Sequence, residues 1–117
     1  MTESILTTIK KLIGGMGEDD TAFDTDLIIH INTCFSVLAQ IGVGPKEGFH
    51  ITGKDETWSD FIQKDTKEYE MVKTYLYIKT KLVFDPPLSS AVMEVMKANA
   101  SELEWRLKEV AESNDTE

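Results

Sequence analysis

The sequence predicts an all-α fold, a small bundle of four to five helices closing in a long C-terminal helical hairpin. Three observations predict it. Apolar residues recur at three- and four-residue spacing in four stretches, the period that buries one face of a helix. Glycine and proline fall between those stretches, at Gly14 to Gly17, Gly42 to Gly48 and Pro86-Pro87, where they stop one helix before the next begins. Alternation with a period of two lasts only three or four residues, around Phe49-His50-Ile51-Thr52.

The first helix runs from Thr2 to Ile13, with Ile5, Leu6, Ile9, Leu12 and Ile13 on one side. Gly14-Gly15-Met16-Gly17 ends it. These glycines read as a flexible joint: no strand precedes them and no Lys-Ser/Thr follows, so they match neither a dinucleotide nor a P-loop fingerprint. Glu18, Asp19, Asp20, Asp24 and Asp26 come next with no cation among them. Their spacing misses a calcium loop, which also needs a mid-loop glycine. They read as a solvated loop in which Asp24 or Thr25 caps the next helix and Asp26 lies near its positive end.

That second helix spans Thr25 to Ile41 and buries Leu27, Ile28, Ile31, Cys34, Phe35, Leu38 and Ile41. Ile29 falls on its polar side beside Thr33, Ser36 and Gln40. His30 sits at the edge of the apolar stripe as a packing residue. Gly42-Val43-Gly44-Pro45-Lys46-Glu47-Gly48 ends the helix and begins a loop. Residues 49–58 leave room for a short β element, in which Phe49 to Thr52 pairs with Glu56-Thr57-Trp58. Thr57 or Ser59 then opens a helix of one or two turns through Trp58, Phe61 and Ile62.

The hairpin follows. Asp65 or Thr66 caps its first helix, which is apolar on Met71, Val72, Tyr75, Leu76, Ile78, Leu82 and Val83. Lys79 falls near the middle of that stripe, so it either extends its ammonium to water or pairs with a carboxylate on a neighbouring helix or subunit. Tyr77, Lys81 and Phe84 lie opposite, so this helix is contacted on two faces. Pro86-Pro87 cannot continue it, and Asp85 is pushed out of the α region by the proline that follows. Ser89 or Ser90 caps the last helix, which reaches Glu112 without glycine or proline, roughly 30–35 Å at ~1.5 Å per residue. Its core stripe is Val92, Met96, Asn99, Leu103, Leu107 and Val110. A second, thinner stripe carries Ala91, Ala98 and Trp105 among Glu94, Ser101 and Glu109, a face suited either to another subunit or to the domain's own loop.

At 117 residues the chain makes one domain, 1–117, with an acidic, frayed tail at about 113–117. The net charge of −9 repels phosphate, which argues against a groove or backbone reader of nucleic acid. A channel through which DNA slides without sticking remains compatible. The single cysteine, Cys34, excludes an internal disulfide framework, and its place on an apolar face makes it a buried thiol rather than a nucleophile. No basic leader precedes an apolar run, and no run is long enough to span a bilayer, so synthesis in the cytosol is expected. His30 and His50 lack motif neighbours, and the carboxylates sit in loops and on solvent faces. No catalytic, cofactor-binding or metal constellation is present.

Several segments together carry a resemblance. They are Asp24-Thr25-Asp26-Leu27-Ile28-Ile29-His30-Ile31-Asn32, Gln40-Ile41-Gly42-Val43-Gly44-Pro45 and Thr57-Trp58-Ser59-Asp60-Phe61. With them go the run from Val72 through Tyr75-Leu76-Tyr77-Ile78-Lys79 into Phe84-Asp85-Pro86-Pro87, and Glu102-Leu103-Glu104-Trp105-Arg106-Leu107. Over nearly its whole length the chain resembles the head–tail connector (adaptor, or head-completion) proteins of long-tailed double-stranded DNA phages and prophages. The resemblance implies a structural virion protein without enzymatic activity, made in the host bacterial cytoplasm. It implies a ring of about a dozen copies under the portal protein, joining head to tail, with a downstream connector or tail protein as the next partner. DNA would pass through its channel without specific binding, and no membrane or cofactor is implied. Surfaces for such contacts are expected at Ile29, Tyr77, Lys79, Phe84, Ala91, Ala98 and Trp105, and the loop from Gly42 to Thr57 is expected as an arm for the portal or a neighbour. The rival readings are an acidic, non-catalytic regulatory module that binds one partner through Ile29 or Trp105, and a small enzyme with a carboxylate site assembled in space.

Overall fold

The structure, a computed structural model, describes residues 3–14, 21–62, 66 and 68–115. Five helices are present among them: α1 (Ile5–Ile13), α2 (Asp24–Gln40), α3 (Trp58–Phe61), α4 (Tyr69–Phe84) and α5 (Ser90–Asp115). The protein is an all-α bundle, with no sheet among the described residues. The glycine joint at 15–17, the acidic residues 18–20, a cap at Asp65, Thr2 and the last two residues of the tail lie outside the described residues.

Helix α4 is the axis of the fold, with α1, α2 and α5 all packed against it. Tyr69, Val72, Tyr75, Leu76, Ile78 and Thr80 are buried, an arc wider than one amphipathic stripe because three helices cover it. Val83, expected on the core side, is instead exposed, although Phe84 beside it packs against α2. Thr80 is fully buried and its hydroxyl has no hydrogen-bond partner among the described residues. A buried hydroxyl without a partner costs about 1–3 kcal/mol in lost hydration. Thr80→Val keeps the shape and removes the hydroxyl, so it should raise the unfolding free energy by about 1 kcal/mol. Urea unfolding checks this, and a lower midpoint would contradict it.

Ser4 caps α1, its hydroxyl accepting from the Thr7 amide at 3.2 Å. Ile5, Leu6, Ile9 and Ile13 enter the core, whereas Leu12, expected with them, is half exposed beside α4. Asp24 does not cap α2, and Phe23 stands at the N-cap without a side-chain bond. The Asp24 carboxylate is taken by Lys10, 2.9 Å away, whose side chain is only 4% exposed. A lysine so enclosed needs a partner near its ammonium, and that demand outweighs a cap.

Leu27, Ile31, Cys34, Phe35 and Leu38 of α2 are buried as their spacing predicts. The helix closes with Val43 N–H donating to the Leu38 carbonyl at 2.8 Å, with Gly42 at φ +94°. The loop expected as an arm is anchored at three points. Phe49 packs edge-on to Phe35, their centroids 5.0 Å apart. Asn32 donates to the Ile51 carbonyl at 2.9 Å and accepts from its amide at 2.7 Å. Thr57 forms an isolated antiparallel bridge with Ser4. The expected pairing of 49–52 with 56–58 does not occur. Instead Ile5 donates to the Glu56 carbonyl and Trp58 to that of Glu3. A two-stranded hairpin this short is not stable alone, and the chain start offers a partner held by α1. Thr57 and Asp60 then form a capping box on α3.

The hairpin turn forms where the prolines require it. Ser89 caps α5, accepting from the Val92 amide at 3.3 Å. The side of α5 facing the core is turned by about 60° from the expected stripe, at 100° per residue. Ala100, Leu107 and Ala111 are buried, Met96 and Leu103 pack partly, and Val92 and Asn99 face out. Glu104 explains the rotation. Its carboxylate accepts from the Tyr75 hydroxyl at 2.8 Å across the α4–α5 contact. Burial, and then that same bond, raises the Tyr75 pKa.

Candidate assembly interface

The seven residues expected at contacts do not form one patch. Ile29 stands out from α2, 61% exposed. Tyr77 is half-buried in a groove between α1 and α4. Phe84 is half-buried against the His30 ring, edge to face at 5.8 Å, so part of its surface is used within the subunit. Lys79 is half-buried too; its backbone carbonyl accepts from the His30 ring, and its ammonium has no carboxylate partner among the described residues. Ala91, Ala98 and Trp105 are exposed together along α5, with Trp105 60% exposed. They lie across the helix from Ala100, Leu107 and Ala111.

A second surface is absent from the sequence reading. Val83, Leu88, Val92 and Val95 are all exposed, within the last turn of α4, the proline turn and the first two turns of α5. Spacing alone places Val83 and Val92 in the core, because each continues its helix's apolar stripe. The signal that could separate them is position: the start of α5 projects past the end of the bundle, where no element remains to cover it. Leu88, in a Pro-Pro-Leu turn, belongs to neither stripe.

The Cys34 sulfur lies 3.7 Å from His30 Nε2, but burial pushes its thiol up to about 11, which leaves little thiolate at neutral pH. Burial also lowers the His30 pKa, opposed by its bond to the Lys79 carbonyl. Among the described residues no group of three His, Cys, Asp or Glu side chains could hold a metal ion, and no helix is long and apolar enough to cross a membrane.

A family model described as phage connector protein matches residues 5–114. The chain belongs to the phage connector family. No match was found among curated proteins or solved structures. The match takes in all five helices but the last residue of α5, so the whole bundle is the connector fold. A connector is a structural component of the virion, and its working parts are surfaces. In this connector exposed apolar side chains stand on the outer side of α5, at the hairpin tip and in the α1–α4 groove.

Proposed function

We propose that this connector forms a homo-oligomeric ring of about a dozen copies beneath the portal, extends the DNA channel and joins head to tail. The observation that carries the reading is Trp105, a large aromatic left 60% exposed on the side of α5 away from the core. Exposed tryptophan flanked by small residues is costly in water and is the residue type that most often anchors protein contacts. The apolar tip at Val83, Leu88, Val92 and Val95 supplies a second contact, suited to the portal or to the next connector or tail protein. A net charge of −9 supports passage of DNA without adhesion, since an acidic wall repels phosphate.

The test is native mass measurement and electron microscopy of the protein alone and bound to portal-containing heads. Discrete rings at the head vertex are expected. Trp105→Ala should weaken assembly by about 2 kcal/mol or more, roughly thirtyfold in affinity. Folding stability should move by less than about 0.5 kcal/mol, because no buried packing is lost. A variant that unfolds, or that assembles as well as the wild type, would remove Trp105 from the interface. A wild-type subunit that binds heads singly would end the ring reading.

A further inference from the structure

We infer that Trp105 of one subunit seats in the groove between α1 and α4 of the next copy of this chain. The inference rests on the ring reading and specifies which two surfaces meet. The groove has a volume of about 330 Å³ and an apolar floor of Leu12 and Tyr77. Leu12 is 47% exposed there, although the rest of the α1 apolar stripe is buried. Thr74 and Glu70 on its wall offer oxygens that can accept from an indole N–H, which an incoming tryptophan must satisfy once buried.

The directions of the two surfaces suit a ring. Tyr75 reaches toward α5, bonding Glu104, while Tyr77 lines the groove. Two residues apart on a helix, they point about 160° from one another. The groove and α5 therefore lie on opposite sides of α4, and Trp105 faces outward from the far side of α5. A contact between such surfaces runs head to tail and repeats from subunit to subunit, as a heterologous ring requires. An isologous pair would need both surfaces on one face, so that each meets the other's counterpart at once.

Individual opposite charges can pair across such a contact. Glu102 and Glu109 lie one turn before and after Trp105, and Lys11 and Lys73 rim the groove from two different helices. Neither side is of one sign. Glu3 holds Lys11 at 3.3 Å, Glu70 is on the rim, Arg106 lies 3.6 Å from Glu102, and Lys108 follows one turn on from Trp105. The lysines can exchange these exposed local partners for carboxylates of the neighbour, and the alternation of sign fixes the register.

The experiment uses wild-type protein at ordinary and heavy isotope mass, mixed, assembled alone and on heads, and cross-linked with a zero-length carbodiimide. Mixed-mass peptides joining Lys11 or Lys73 to Glu102 or Glu109 are expected. Lys73→Glu and Glu109→Lys should each raise the concentration needed for assembly about tenfold, and the double variant should recover most of it. Leu12→Asp should prevent assembly while the monomer keeps its helical far-UV signal. Rings whose cross-links join other surfaces, or a double variant no better than the singles, would overturn the inference and leave the ring standing. Absence of any oligomer, with or without heads, would overturn both.

Discussion

Trp58→Ala is expected to lower the unfolding free energy by about 3–5 kcal/mol, the largest loss from any single truncation in this chain. Trp58 is fully buried and is the largest of the enclosed side chains. It opens α3, but its ring lies under α1 and α4: Nε1 donates to the Thr8 hydroxyl at 3.0 Å, and the Tyr69 ring meets it edge-on at 6.4 Å. Thr8 in turn donates to the Ser4 carbonyl at 2.7 Å, so the indole ties the 57–58 segment to the start of α1. Removing it leaves a cavity and takes one of its two bonds from the Thr8 hydroxyl. Against a total stability of about 5–15 kcal/mol, such a loss brings the protein close to unfolding at body temperature. Urea unfolding followed by far-UV circular dichroism measures it. Trp58→Phe should cost less, because it keeps most of the packing and loses mainly the Thr8 bond. A Trp58→Ala variant within about 1 kcal/mol of the wild type would show that the side chain is no keystone.

Gly44→Ala is expected to cost about 2–4 kcal/mol through two additive effects. Gly44 sits at φ +93°, where L side chains are strained, and a Cβ there would lie 2.4 Å from Phe61 Cε1. The Phe61 ring cannot step aside. It is buried and held by Phe35 and Phe49, with centroids at 4.7 and 5.3 Å. Gly48 provides the control, since it has φ +90° but nothing within 4 Å of where a methyl group would stand. Gly48→Ala should therefore show only the backbone cost, about 1 kcal/mol. Equal losses in the two variants would mean that the ring clash is absent. The comparison isolates why the Gly42-Val43-Gly44 turn takes glycine where the loop folds onto α3.

Much of this connector is legible without the fold. Helix number, the capping of α5 by Ser89, the end of α4 at the proline pair and the buried face of α2 all follow from period, caps and breakers, which act over a few residues. The inertness of Cys34 is legible for the same reason, because a thiol on an apolar helix face is enclosed. What fails are statements that depend on partners distant in the chain. Asp24 serves Lys10 rather than its own helix, and Thr57 pairs with Ser4 rather than Phe49 to Thr52.

The exposed surfaces divide along the same line. The stripe of Ala91, Ala98 and Trp105 can be read from a helical wheel, because it is a property of one helix. The hairpin tip and the α1–α4 groove cannot, because burial depends on whether another element arrives to cover a residue. Local spacing along the chain determined which residues are helical and where each helix stops. Tertiary packing alone decided how α5 is turned about its axis, with Tyr75 bonded to Glu104, and which apolar side chains were left in water, because burial needs another element to arrive.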